Sequence, residues 1–95
     1  MRKLLERDIE NSVKTYAKRK GMYVRKFTSP SMRSVPDDLF MCKGVVFFIE
    51  FKAEGKKPSV RQWREIELIR SQEVDCYVID NINDGKFIID LYLKD

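Results

Sequence analysis

The run Val35-Pro36-Asp37-Asp38-Leu39-Phe40-Met41-Cys42-Lys43-Gly44-Val45-Val46-Phe47-Phe48-Ile49-Glu50-Phe51-Lys52 decides how this chain is read. β-Branched and aromatic residues on both sides of Lys43-Gly44 predict strands over 38–42 and 45–51, joined by a two-residue hairpin turn. The second strand is apolar on both faces, which marks a central strand covered above and below by helices. A two-residue turn pairs Cys42 with Val45 and Met41 with Val46, so paired numbers sum to 87. Asp37 then falls opposite Glu50 on one face, with β-carbons about 5 Å apart. Lys52, two residues further on, shares that face.

Two facing carboxylates repel unless a cation lies between them or one keeps its proton. A divalent ion answers the first condition. Oxygen donors without histidine or a thiolate cluster favour Mg²⁺ or Mn²⁺ over zinc, and the Lys52 ammonium beside them can orient water or stabilise developing phosphoryl charge.

Outward from the hairpin, 28–36 holds two prolines, four hydroxyl side chains and Arg33, the composition of an irregular loop. Residues 22–27 alternate as a strand. Before them Leu5, Ile9, Val13, Tyr16 and Ala17 recur at helical spacing, and Gly21 follows Lys18-Arg19-Lys20, predicting a helix over 3–20. Glu6 and Glu10 share one face of it. On the other side, 53–58 is a basic connector. Ser59-Val60-Arg61-Gln62 is a capping box that opens a second helix continued by Trp63, Ile66 and Ile69 or Arg70. A strand over 74–79 follows, then a connection over 81–85, and Phe87, Ile88, Leu91 and Tyr92 fit a last helix. The order αβββαβα describes an α/β fold, a small mixed central β-sheet flanked by helices.

At 95 residues the chain supports one core, so a single domain over 1–95 is expected. Absence of histidine excludes Ser-His-Asp and Cys-His nucleophilic sites and the zinc-protease helix. Cys42 and Cys76 read as buried thiols, and the lack of an uninterrupted apolar stretch predicts no membrane span and a cytosolic protein. Net charge is +4, but 16 basic and 7 acidic residues through Arg64 give +9, while 3 basic and 8 acidic residues after it give −5. Such asymmetry suits a polyanion partner, although an ordinary solvated surface accounts for charge alone equally well.

Pro36-Asp37 followed by Glu50-Phe51-Lys52 on a central strand resembles the PD-(D/E)XK nuclease superfamily. More narrowly, the chain resembles stand-alone VRR-NUC domains of the phage kind. That likeness also takes in the glutamate-bearing first helix ending in glycine, the Ser-Pro-rich loop with an arginine, Phe48-Ile49-Glu50-Phe51-Lys52, Gly55-Lys56-Lys57-Pro58 and the helix near Gln62. The resemblance implies a restriction-endonuclease-like fold, with Asp37, Glu50 and the Phe51 carbonyl as Mg²⁺ or Mn²⁺ ligands and Lys52 as the catalytic lysine. The first-helix glutamate is Glu10, with Glu6 in reserve. Gln62 would support the site or substrate. Ser31, Arg33 and Arg61, together with Lys56 and Lys57, are candidate phosphate contacts. The resemblance further implies a DNA endonuclease related to Holliday-junction resolvases; the two-fold symmetry of a four-way junction then predicts a homodimer, for which the apolar residues of 87–93 are the candidate interface.

Two departures stand out: Ser34 replaces a commoner glycine, and Asp38 adds an acid that a loop one residue longer would bring opposite Glu50. Alternatives are a flap or restriction-like nuclease on the same fold, or a nucleic-acid-binding module without catalysis. Taken singly, Glu10 can simply pair with Lys14, Glu50 with Lys52, and Lys18-Arg19-Lys20 can be solubility charge. Trp63, Phe47, Phe48 and Tyr77 are assigned to packing.

Overall fold

A computed structural model describes residues 3–94 of the chain. Helix α1 (Glu6–Arg19) starts three residues later than expected, after the Asp8 carboxylate accepts the Leu5 amide at 3.3 Å. It ends where Gly21, at φ +93°, takes the left-handed conformation that a glycine adopts without strain. Strands β1 (Tyr23–Lys26), β2 (Asp38–Cys42) and β3 (Val45–Phe51) follow. Then come α2 (Val60–Ser71), β4 (Asp75–Ile79) and α3 (Ile82–Leu93).

The sheet order is β1-β2-β3-β4, with antiparallel pairs on the first two junctions and a parallel pair between β3 and β4. The parallel pair requires a crossover, which α2 supplies. The tight turn is as expected: Lys43 and Gly44 both have positive φ, and every β2–β3 pair from Cys42↔Val45 to Asp38↔Ile49 sums to 87.

Ile9, Val13 and Ala17 of α1 pack with Phe47, Ile49 and Phe51 of β3, Phe40 of β2 and Ile89 of α3 in one core. Phe47 lies stacked between Phe40 and Tyr92, at centroid distances of 5.1 and 4.0 Å. The opposite sheet face is covered more thinly than two apolar faces suggested. Val46 and Phe48 remain half-buried, and Ile66 is the single buried residue of α2. Trp63 therefore departs from its expected packing role, with 37% of its surface exposed on the outer side of the helix. Cys42 is half-buried, Cys76 is buried, and both are free thiols.

The last helix corrects the reading of 81–85 as a connection. Asn81 caps it by accepting the Asp84 amide at 2.8 Å, and Gly85 lies inside it. A β-carbon on Gly85 would sit 2.3 Å from Val13 Cγ2, so the glycine is present because α1 and α3 touch there. Among the described residues no helix is long and apolar enough to cross a membrane.

Candidate active site

Pro36 is buried and delivers Asp37 to the open end of the β2–β3 hairpin. The paired ladder stops at Asp38↔Ile49, one step before the expected Asp37–Glu50 pair. Asp37 instead turns its carboxylate onto β3, where Oδ2 accepts the Phe51 amide at 2.7 Å, while its backbone carbonyl accepts the Phe27 amide at 2.9 Å. This fixes the side chain beside the site, with Oδ1 3.9 Å from Lys26 Nζ. Burial raises the Asp37 pKa above the usual carboxylate range, against the opposing pull of the Phe51 amide.

Glu50 is 2% exposed, an unusual place for a carboxylate. Its Oε2 lies 3.1 Å from Lys52 Nζ, and its Oε1 is buried with no hydrogen-bond partner among the described residues. Burial and then the charge of Asp37 push the Glu50 carboxyl up to about 7, despite the hydrogen bond from Lys52. Lys52 lies just past the strand, and its amide donates to the Ile79 carbonyl at 2.9 Å, which ties the site to β4. Asp37, Glu50 and Lys52 are thus brought together, with Asp37 held through the Phe51 amide and not by the paired Asp37–Glu50 step that the hairpin register predicted.

The two first-helix acids have different surroundings. Glu10 turns toward β1 and β2, 3.0 Å from Lys26 Nζ and 3.9 Å from Lys14 Nζ. Burial works against its charge, yet Asp38 and these two lysines hold its pKa below the ordinary value. Glu6, one turn earlier, is raised first by burial and then by Asp37, and its charge also acts on Glu50. Its electrostatic neighbours therefore include Asp37, Lys52 and Glu50.

Asp38, the second acid of the motif, points to the face carrying α1. It is fully buried, with Lys14 Nζ 3.1 Å from Oδ1 as an ion pair, and neither oxygen has a hydrogen-bond partner among the described residues. Burial and the neighbouring Glu10 raise its pKa. The register question posed by Asp38 is thereby resolved: a two-residue turn sends Asp37 and Asp38 to opposite faces.

A cleft of about 420 Å³ between the 28–36 loop and α2 is lined by Ser31, Arg33 and Arg61, together with Arg64. Three sequence candidates meet there, and Arg64 is added because it lies one turn along from Arg61. Lys56 and Lys57 stay exposed on the connector. Gln62 is engaged in the cap of α2, its Oε1 accepting the Ser59 amide at 2.9 Å and its own amide donating to Ser59 Oγ at 3.2 Å. Lys26 was not singled out from sequence. Its pairing with Asp38 across β1–β2 was the signal, legible only once that register was known.

The donor set can be tested against a divalent ion from the geometry alone. Among the described residues no group of three or more His, Cys, Asp or Glu side chains converges as a preformed metal cage. Glu50 Oε1 is nonetheless an orphaned buried acceptor, with a second carboxylate acting on it. Hard oxygen donors whose mutual repulsion raises their pKa values fit a Mg²⁺- or Mn²⁺-like cation.

No family model matches the chain. A protein of Acyrthosiphon pisum secondary endosymbiont phage 1, named "Putative nuclease p44", is 39% identical over 66 residues, covering 68% of this chain and 71% of its own. A solved structure described as a VRR-NUC domain superposes with a TM-score of 0.84 at 27% identity, over 92% of this chain and 96% of the other. A second, described as a VRR-NUC domain protein, gives a TM-score of 0.84 at 18% identity over 97% and 90%, a likeness of fold.

Proposed function

The chain belongs to the VRR-NUC nuclease family, and from that membership we propose that it is a Mg²⁺- or Mn²⁺-dependent endonuclease that cuts the phosphodiester backbone of branched DNA. Its nuclease unit spans residues 1–95. The observation that carries the reading is the buried Oε1 of Glu50, without a hydrogen-bond partner among the described residues, beside a second carboxylate and a lysine. Such an arrangement costs folding free energy and makes sense as a site organised for a cation.

Asp37, Glu50 and the backbone carbonyl of Phe51 would hold the ion. Glu6 is the favoured first-helix contributor, since its charge acts on Glu50 while Glu10 is engaged by Lys26 and Lys14. The bound ion would supply an acidified water and charge neutralisation at the scissile phosphate. Lys52, steadied by Glu50 Oε2 at 3.1 Å, donates a hydrogen bond to the attacking water or to a non-bridging oxygen as negative charge develops there. Asp37 is kept from rotating away by the Phe51 amide. Ser31, Arg33, Arg61 and Arg64 grip the backbone, with Lys56 and Lys57 extending the cationic surface, and contacts of this kind read shape rather than base sequence. A four-way junction has two-fold symmetry, which a homodimer with two active sites matches. The setting is the cytosol of a bacterial or phage-infected cell.

The test is cleavage of labelled four-way junction, flap, linear duplex and single strand with Mg²⁺, Mn²⁺ or chelator, comparing wild type with Lys52→Ala. Symmetric junction cuts that need metal and vanish in the variant are expected. Cutting confined to flap or duplex would discard the junction preference and keep the nuclease. Tight binding by both proteins without any cutting would overturn the catalytic reading.

A further inference from the structure

We propose that the exposed ring of Trp63 is a stacking platform for an unpaired base, so that the outer groove of α2 is where the protein recognises DNA that has lost its pairing. The proposal deepens the nuclease reading above and rests on its nucleic-acid substrate, while its test needs no cleavage.

A helix that packs on a sheet normally turns its largest apolar side chains inward. Helix α2 buries Ile66 alone and leaves Trp63 37% exposed, with Val60 and Leu68 more open still. These three, with Arg64 and Glu67, line one shallow groove of about 530 Å³. Residues 60, 63, 64, 67 and 68 have the spacing of one helix face, so the groove runs as a continuous stripe. The Trp63 ring is braced within it. Arg70, whose guanidinium donates to the Cys76 carbonyl at 2.8 and 3.0 Å and pairs with Glu67 at 2.8 Å, stands over the ring at 6.0 Å from its centroid. An indole held by a fixed neighbour and still open to solvent is a preorganised surface for a flat ligand.

The occupant follows from what adjoins the groove. Arg64 and Leu68 also line the cationic cleft, beside Ser31, Arg33 and Arg61, so the two depressions share a wall. Arg33, Arg61 and Arg64 have no hydrogen bond or ion pair among the described residues, which leaves their charge to a polyanion from outside. Strand alternation turns Glu50 to the sheet face that α2 covers, opposite to Phe47, Ile49 and Phe51, so cleft and groove lie on the side of the candidate site. A backbone phosphate gripped by Arg64 leaves its attached base beside Trp63, the preceding residue of the helix. Within a duplex that base is stacked between its neighbours, and only an unpaired one can offer its face to an aromatic ring. A basic groove with an adjoining aromatic side chain is the combination that holds single-stranded nucleic acid without reading its sequence.

The other exposed rings lack this setting. Tyr23 lies across from Met41 toward the hairpin turn, and the Arg25 guanidinium already stands over it at 4.1 Å. Phe87 lies on α3, with Asp84 and Asp90 three residues away on either side, and carboxylates there repel phosphate.

Trp63 is the single tryptophan of the chain, so its fluorescence reports on the platform directly. The full chain is titrated, in chelator to prevent cutting, with a labelled DNA duplex and with the same duplex carrying a short run of unpaired thymidines at its centre. Quenching of Trp63 by the second DNA and not by the first is the expected result. Anisotropy of the two DNAs gives the preference for the unpaired form. Trp63→Leu should lower that preference about tenfold, and Trp63→Phe, which keeps a ring, should retain most of it, with folding of both variants checked by circular dichroism. Equal quenching by the two DNAs, or a preference unaltered in Trp63→Leu, would overturn the platform. A preference unaltered while Trp63→Leu dissociates an assembly of the free protein would overturn it in favour of a polypeptide on this face. Failure to bind either DNA would remove the nucleic-acid reading beneath the proposal as well.

Discussion

Replacing Glu50 by glutamine should make the metal-free protein more stable at alkaline pH while removing its activity. The wild-type carboxyl is pushed from 4.5 to about 7 by burial and by Asp37. A carboxyl that holds its proton more tightly in the folded than in the unfolded state contributes stability below the unfolded value, and that contribution is lost as pH rises from 4.5 through 7. The loss is about 3 kcal/mol once both states are ionised. Glu50→Gln keeps the shape and removes the titration. It also leaves Lys52, 3.1 Å away, without its partner charge, which offsets part of the gain. A net gain of about 1–2 kcal/mol at pH 8 remains, or roughly 4–16 °C in Tm for a domain of this size. Thermal melts by circular dichroism in chelator at pH 4 and pH 8 measure it. The variant should match or trail wild type at pH 4 and lead at pH 8, and saturating Mn²⁺ should close the gap by stabilising wild type alone. A difference that stays constant between the two pH values would refute the reasoning, because Glu50 would then not titrate against its surroundings.

Glu6→Gln should weaken Mn²⁺ binding measured by calorimetry, and cleavage with it, more than Glu10→Gln does; the reverse order would return the first-helix role to Glu10. Gly85→Ala should destabilise by about 1–3 kcal/mol despite the better helix propensity of alanine, because the new methyl meets Val13 Cγ2 at 2.3 Å, and an unchanged denaturant midpoint would refute that close approach. Arg33→Ala, Arg61→Ala and Arg64→Ala should each lower junction affinity and flatten the plot of log K against log salt by about one phosphate contact, whereas an unaltered slope would take that residue out of the interface.

The hairpin was legible because two local constraints agree. Lys43-Gly44 can adopt two consecutive positive φ angles, and the flanking residues alternate or run apolar, so turn length alone fixed which side chains face each other. The α1 stripe was legible for the same kind of reason, since Ile9, Val13 and Ala17 repeat at the helical period and are all buried. Gly85 misled because a glycine near Asn81 and Asp84 reads as a turn, while its actual role depends on Val13, seventy-two residues earlier in the chain. Trp63 misled because size and aromaticity predict burial only if the helix has enough surface to cover. The second face of this small sheet supplies that surface to Ile66 and little else.

The site divides along the same line. Glu50 and Lys52 follow from strand periodicity and Asp37 from its place just before β2, and the strain on the Glu50 carboxylate follows from burying it at the inner end of β3 beside Asp37. The choice between Glu6 and Glu10 depends on how α1 crosses the sheet, an angle set by the packing of Val13 against Gly85 and of Ile9 against β3. Four residues of helix advance about 6 Å along the axis, enough to carry an acid from the open end of the hairpin to the middle of β1 and β2. Glu10 lands where Lys26 and Lys14 can neutralise it, which returns folding free energy and gives its presence a structural cause. Glu6 is raised by burial and by the charge of Asp37, as Glu50 is, which places two strained acids beside Asp37 and Lys52, while Asp38 is strained separately by burial and by Glu10 on the face carrying α1. Spacing along a helix narrows such a choice to one face, and the packing of that helix on its neighbours decides which residue on the face reaches the chemistry.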